Sequence, residues 1–459
     1  MNCELCIADS VKEFIEKHLK DDVNRLALAK FPEGIDREFV IRQIHARQVL
    51  SKKLPSWAEN DELVFPKKLS LEQCSSELTA KYKAELLSTK LQEISRKEFS
   101  EDSCSLADKK RILIDLTGGM GVDTAFLSDN FDKTYYVEMQ EELCEIAKHN
   151  FNILNKNIEV INDNAEHFLT LCDDVDCIYL DPARRDEYGR KMVSLHDCSP
   201  DVVELHDILL KKAKRVLVKV SPMLDIEMVK KELKDISEIH VVAVRNECKE
   251  ILIEIQKFRN SETQNFETQR LKDAENDFAT LRLCDSVDSI NVIATDLREG
   301  WSFAFTEDEE IEAQWTLADN VGRYLYEPGA ACMKAGCFKL LSQRYGLDKL
   351  HRNSHLYTSD ELVPDFPGRI FEVVNVVPFD KKTKKTIWTL DFEDAKTQRR
   401  KDANKDSATF KKANVAVRNF PLSAEELKKN LGLQDGSDFY IFGTTMKGEK
   451  KIVVLTKKV

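Results

Sequence analysis

From residue 111 the chain alternates short apolar runs with amphipathic segments, so its hydrophobic period switches between two and about 3.6. RILIDL, TYYVEM, NIEVIND, VDCIYLD and RVLVKVSP read as strands. VDTAFLSDNF, EELCEIAKHNFNIL, AEHFLTLC, SPDVVELHDILLKKA and MLDIEMVKKELKD read as the helices that follow them. This alternation predicts a doubly wound parallel sheet. EIHVVAVRN and KEILIEIQ follow one another too closely for a crossover, which predicts an antiparallel strand at the sheet's edge. Residues 1 to about 100 carry helical spacing instead. EFVIRQIHARQVLSKKL is stopped by KLPSW, and SLEQCSSELTAKYKAELLSTKL resumes with Ser70 as its predicted N-cap. Past a polar connector at 257–280, SINVIATDL and WSFAFTEDE predict strands and ADNVGRYLYEPGAACMKAGCFKLLSQRYG predicts helix. GRIFEVVNVVPFD is a further strand region. The last part reads strand (ANVAVRN), helix (SAEELKKNLGL), strand (DFYIFGTTM), strand (KKIVVLTKK), with Ser423 and Glu426 spaced for a capping box.

The first strand runs into ILIDLTGGMGVDTAF, with three glycines in four positions after an acid, Asp115. Glycines at a strand-to-helix turn let a ligand approach the backbone at a helix N-terminus. A dinucleotide site needs a third glycine after Gly119 and Gly121, and Val122, Asp123 and Thr124 stand there instead. Asp123 also places a negative charge where a diphosphate would lie. Acids then close the next strands: Glu138 after YYV, Asp163 after VIN, and Asp181 in LDPARR. Four carboxylates at one edge of a sheet suit a cationic nucleoside: Asp115 for an ammonium, Glu138 for ribose hydroxyls, Asp163 for an adenine amine.

DLTGGMG, Glu138, Asp163 and DPAR together resemble the ordered motifs of class I S-adenosylmethionine-dependent methyltransferases. More narrowly, LEQCSSELTAKYKA, DLTGGMGVDT, LDPARR and YLYEP are similar, in this order and over nearly the whole chain, to a bacterial methyltransferase family with a THUMP-like C-terminal domain. The resemblance implies an α/β fold: a Rossmann-like doubly wound methyltransferase sheet, a helical N-terminal lobe, and C-terminal α+β modules, ferredoxin-like and THUMP-like. The expected parts are residues 1–100 (helical lobe), 101–258 (methyltransferase), 259–380 (ferredoxin-like) and 381–459 (basic, THUMP-like). S-adenosyl-L-methionine is the expected cofactor, held by Asp115, Thr117, Gly118, Gly119, Gly121, Glu138 and Asp163. Ser76 and Thr79, with Ser75, are placed on a helix folding over its methionine end.

Asp181-Pro182 resembles the [DN]-P-P-[FYW] corner of enzymes that methylate base nitrogens or amides. Asp181 is expected to accept a hydrogen bond from the acceptor amine, and Pro182 to expose a carbonyl as a second acceptor. Ala183 replaces the second proline, and Arg184 stands where an aromatic platform is usual, able to stack on a base or bind phosphate. No cysteine follows strand four or five, which argues against cytosine C5 methylation. Lys219, at the end of strand five, is placed to reach the substrate, although a strand-end lysine is usually just solvated.

Charge adds a partner to this picture. The chain has a net charge of −12, yet residues 381–459 hold 19 Lys and Arg against 10 Asp and Glu. A basic module on an acidic body points to a polyanion, transfer or ribosomal RNA, met by Lys396, Arg399, Arg400, Lys401, Lys411 and Lys412. Phe439, Tyr440 and Phe442 read as core of that module. Twelve cysteines are scattered without a disulfide framework. The spacing of Cys332, Cys337, His351 and His355 mimics a zinc site, as Cys3 and Cys6 mimic half of one, but no metal is expected. No apolar run reaches the ~18 residues of a membrane span, and the acidic start lacks a basic leader, so the expected location is cytoplasmic. The rival readings are an NAD(P)-dependent oxidoreductase, an RNA-binding protein that keeps the fold without turnover, and a methyltransferase acting on a protein or small molecule.

Overall fold

The computed structural model describes residues 7–98, 110–184, 194–256, 289–388 and 412–459. The chain separates into two compact units: residues 1–242 with 249–277, and residues 243–248 with 278–459.

The first unit opens with helices α1 (Asp9–His18), α2 (Val23–Ala27), α3 (Arg37–Lys53), α4 (Pro55–Ala58), α5 (Lys68–Gln73) and α6 (Glu77–Glu98). α3 begins where Asp36 accepts the N–H groups of Glu38 and Phe39. The predicted helix from Ser70 is two helices. The chain breaks at Cys74–Ser76, and the N–H of Thr79 donates to Ser76 Oγ at 3.2 Å, so Ser76 rather than Ser70 caps the long one. These helices share a core with the sheet behind them: Leu50, Leu54, Trp57 and Ala80 pack in one cluster with Met120, Val122, Tyr136 and Phe151.

Seven strands build the sheet of this unit: β1 (Ile112–Asp115), β2 (Lys133–Glu138), β3 (Ile158–Asn162), β4 (Val175–Leu180), β5 (Ala213–Val220), β6 (Ile236–Ala243) and β7 (Cys248–Ile255). Their order is β6-β7-β5-β4-β1-β2-β3. β1 pairs parallel to β2 and β4, β2 to β3, and β4 to β5. β7 runs antiparallel to β5. The predicted antiparallel strand exists, but it enters between β5 and β6 instead of lying at the edge. β7 is buried along most of its length, so its apolar residues require neighbours on both sides. Helices α7 (Val122–Leu127), α8 (Glu141–Ile153), α9 (Ala165–Leu171), α10 (Val202–Lys212) and α11 (Ile226–Glu232) follow the strands as expected. Because β1 to β5 are parallel, their last residues share one edge.

The second unit contains a hairpin, β8 (Asn291–Asp296) with β9 (Trp301–Thr306). It also holds β10 (Tyr324–Pro328), β11 (Asp348–Lys349), β12 (Tyr357–Ser359), β13 (Gly368–Pro378), β14 (Asn414–Arg418), β15 (Phe439–Met446) and β16 (Lys450–Lys458). These seven form a sheet ordered β11-β12-β10-β13-β16-β15-β14. The expectation of helix from Ala318 to Gly346 fails at RYLYEP, which is β10. Alternating aromatics pair there with β12 and β13, and helix appears only at Ala330–Ala335 and Phe338–Tyr345. Alternate residues of β15 and β16 feed two cores, one holding Phe371, Phe442 and Val454, the other Ile441, Val453 and Leu427. Phe442 is buried and Tyr440 stacks on Phe371, which agrees with their reading as core. Ser423 and Glu426 form the predicted capping box.

Candidate active site

A cleft opens at the shared edge of the parallel strands, with about 1050 Å³ of space when the open solvent at its mouth is included. The turn from β1 into α7 forms its floor. Gly119 has φ +54° and Gly121 φ +80°, backbone that side chains rarely adopt. Gly118 and Gly121 have a second reason to be glycine. A Cβ would lie 2.2 Å from the Tyr136 ring at Gly118 and 2.7 Å from Phe151 at Gly121. Close packing on two core aromatics thus accounts for two glycines that the sequence attributed to ligand approach, while Gly119 has open space beside it.

Asp115 ends β1 and is buried, accepting the N–H of Thr117 at 3.0 Å and the hydroxyl of Thr124 at 2.5 Å. Burial pushes its carboxyl up to about 7 against those hydrogen bonds. Thr117 also ties two loops together, since the N–H of Asp181 donates to its Oγ1 at 2.6 Å. Glu138 ends β2 and accepts two backbone N–H groups, Gly119 at 3.0 Å and Gln140 at 2.9 Å. Each of its oxygens keeps a lone pair for a further donor such as a ribose hydroxyl. Asp163 departs from expectation: it does not line the cleft. It accepts its neighbour's N–H and pairs with His167 at 2.6 Å, which holds its carboxyl below the usual range. Ala165 and Glu166, just beyond it, face the cleft in its place.

Ser76 and Thr79 depart as well. Both serve the start of α6, with Thr79 Oγ1 donating to the Ser76 carbonyl at 3.1 Å. Cys74 and Ser75 line the cleft instead. Ser75 Oγ donates to Asp123 Oδ2 at 2.7 Å and accepts from Lys83 at 3.2 Å and Lys219 at 3.1 Å. Asp123 also receives the Tyr179 hydroxyl at 2.7 Å and lies 3.2 Å from the Lys83 ammonium. Burial alone would raise the Asp123 carboxyl, but Lys83 and Lys219 hold it well below the ordinary value. Its charge is therefore neutralised within the protein, and the repulsion of diphosphate expected from Asp123 alone does not operate. Lys83 itself is fully buried, donating to Glu250 on β7 at 2.7 Å. The sequence carried a signal for it: Lys83 sits on the buried stripe of α6, between Ala80 and Leu87.

Asp181 and Pro182 stand at the end of β4, with Asp181 lining the cleft. Lys219 binds Asp181 Oδ2 and lies 3.7 Å from Asp123. It is not the solvated residue expected. Burial disfavours its charge, yet Asp181 and Asp123 raise its pKa well above the ordinary value. Ala183 lines the cleft, and the backbone of Arg184 pairs with Cys198 in a two-residue ladder. The Arg184 side chain lies outside the described residues, as do Cys3, Cys6, Lys396, Arg399, Arg400, Lys401 and Lys411. Lys412 is described and exposed.

The cleft gathers Asp115, Asp123, Glu138, Glu166 and Asp181, with Lys219 the one lysine reaching Asp181 and Lys83 lying behind Asp123. Among the described residues, and with Asp123 neutralised by its lysines, Glu138, Glu166 and Asp181 still outnumber Lys219, an environment suited to a sulfonium and ammonium rather than a diphosphate. The residues thus fit S-adenosylmethionine. Elsewhere Cys337 Sγ contacts the Cys332 carbonyl, His351 pairs with Glu449, and His355 stacks on Phe338. Among the described residues no cluster of His, Cys, Asp or Glu could hold a metal ion. Nor is any of their helices long and apolar enough to cross a membrane.

Family profiles match residues 324–367 as a ferredoxin-like domain and residues 389–458 as THUMP domain-like. Along its length the chain is similar to a crystal structure described as a "putative methyltransferase" from Porphyromonas gingivalis W83. That match has 29% identity, a TM-score of 0.74, and covers 100% of this chain and 99% of the other. An rRNA methylase from Streptococcus thermophilus matches 33% of this chain and 90% of its own, at 19% identity and TM-score 0.26. A Streptococcus mutans structure, described as a "putative methyltransferase" in complex with SAH, matches 32% and 88%, at 18% and 0.25. None of the curated proteins matches the chain.

Proposed function

We propose that this chain, a class I S-adenosylmethionine-dependent methyltransferase, methylates a base nitrogen in structured RNA, transfer or ribosomal. The observation that carries the reading is Asp181. Asp181 lines the cleft at the end of β4, and its backbone N–H is tied to the glycine turn through Thr117. A carboxylate there accepts a hydrogen bond from the acceptor's amine, aligning the nitrogen lone pair for in-line displacement. Pro182 supports this corner and Arg184 meets the RNA. The donor is held by the turn of Thr117, Gly118, Gly119 and Gly121, by Glu138 toward the ribose, and by Asp115 toward the ammonium.

The parts divide the labour as the sequence suggests: a helical lobe (1–100), the methyltransferase (101–258), a ferredoxin-like module (259–380) and the basic THUMP-like end (381–459) that engages RNA. The excess of lysine and arginine in the last part, together with the THUMP-like match, supports RNA as partner. Its place of action is the cytoplasm.

The test compares modified-nucleoside profiles of RNA from cells with and without the gene, by mass spectrometry. Loss of one N-methylated nucleoside, restored by the wild-type gene but not by Asp181→Ala, is expected. Unchanged profiles would contradict the reading.

A further inference from the structure

Asp181 does not stand alone at the cleft. Its Oδ2 is bound by Lys219, whose Nζ also donates to Ser75 Oγ at 3.1 Å and lies 3.7 Å from Asp123 Oδ2. Behind this layer Lys83 binds Ser75, Asp123 and Glu250, and Tyr179 binds Asp123. The groups come from six places: the break before α6, α6 itself, α7, the ends of β4 and β5, and β7. Lys83 and Glu250 are almost fully buried, so the arrangement has little room to relax. Oδ1 of Asp181 has no partner among the described residues. One oxygen is clamped and the other is presented.

We propose that Lys219 is a positioning residue: it fixes Asp181 so that Oδ1 meets the acceptor, and this clamp restricts the acceptor to an exocyclic amine of an RNA base. The inference rests on the reading above and narrows it. A carboxylate oxygen fixed as an acceptor needs an N–H on the reacting nitrogen. Ring nitrogens without hydrogen, such as purine N7, offer none. A ring N–H, as in uracil, keeps its lone pair in the ring π system once its hydrogen points at Asp181. An exocyclic NH2 gives one hydrogen to Oδ1 and can tilt its lone pair out of plane toward the methyl group.

When bound, the donor supplies an electrophilic methyl group on a sulfonium. The amine lone pair becomes the new N–C bond, and the C–S pair stays with sulfur, which ends as a neutral thioether. The methylated nitrogen, now cationic, loses one proton to water. Asp181 stabilises that developing charge, while Lys219, drawn toward Asp123 and Ser75 on its other side, keeps the carboxylate from following the substrate.

The test uses the full chain as wild type, K219M and K219R. S-adenosylhomocysteine affinity is measured by calorimetry, and crystal structures with that ligand give the Asp181 orientation. Labelled methyl transfer to bulk RNA from cells lacking the gene is followed by nucleoside identification. K219M should bind S-adenosylhomocysteine within about threefold of wild type and show Asp181 displaced by roughly 1 Å. Its kcat should be lower by about 100-fold with KM for the RNA little changed. K219R should recover about tenfold of that loss, and the product should be an N-methylated exocyclic amine. Asp181 unmoved in K219M, or transfer at the wild-type rate, would overturn the clamp. A methylated ring nitrogen in the wild-type product would overturn the restriction. If wild-type protein leaves RNA unlabelled while Asp181 still moves in K219M, the clamp stands and the RNA reading fails.

Discussion

Both units bury charge, and they do so differently. In the second, Glu327 is buried with one oxygen bound by Arg369 and the other by Arg418 at 2.8 Å. Both arginines stay about a third exposed, so water shares the cost of the cluster. In the first, Lys83, Asp123 and Glu250 are all nearly inaccessible, and the cluster abuts a cleft. In the second unit the arginines keep the buried carboxylate in touch with water, although Arg369 also lines a cavity there. Sealing lysines against carboxylates beside a cavity leaves polar groups fixed where a ligand enters, and that rigidity is what a displacement reaction requires.

The sharpest break of this comparison is at the cleft. Asp181→Ala should reduce methyl transfer by about 10²–10⁴-fold while S-adenosylhomocysteine affinity, read by calorimetry, stays close to wild type. Equal loss of both would make Asp181 a cofactor ligand. Lys83→Met leaves Asp123 and Glu250 buried with their nearest cation removed, and should cost about 3–5 kcal/mol in denaturant unfolding. Arg418→Met in the second unit leaves Glu327 its other arginine and should cost about 1 kcal/mol or less. Similar losses for the two would erase the distinction.

Gly118→Ala forces a methyl group into the Tyr136 ring and should destabilise by about 1–3 kcal/mol, with S-adenosylhomocysteine affinity falling as the turn shifts. A neutral outcome would return that glycine to the role of ligand approach. Asp115 sharpens the comparison through pH. Its pKa is raised to about 7 by burial, above the unfolded carboxylate value, so its contribution to stability is complete below about pH 4. That contribution is lost as pH rises through 7, by at most about 1.4 kcal/mol per pH unit. Asp123, held low by its lysines, behaves oppositely and loses its contribution only in acid. Melting curves of wild type and Asp115→Asn between pH 4 and 8 should therefore diverge as pH rises. Parallel curves would contradict this.

The strand rhythm from 111 to 255 was legible because each strand of a parallel sheet buries both faces and writes its apolar run directly into the sequence. Asp115, Glu138 and Asp181 were legible for the same reason: strand ends fix where a side chain emerges. Lys83 and Glu250 were not, and neither were the partners of Ser75 and Lys219. Their meaning lies in contacts up to 167 positions apart, and a lysine on a helix stripe or strand end reads as solvated until its partners are located. At Asp163 the residue after β3 turns toward His167, a local pairing that spacing does not reveal. RYLYEP was read as helix because flanking helices masked a five-residue strand whose pairing partners lie more than 30 positions on.

The most direct test of the account is calorimetry of the full chain with S-adenosylhomocysteine and, separately, with NAD+. Saturable heat is expected with the first at micromolar dissociation constant, about −8 kcal/mol, and none with the second. Heat with NAD+ and none with S-adenosylhomocysteine would contradict it.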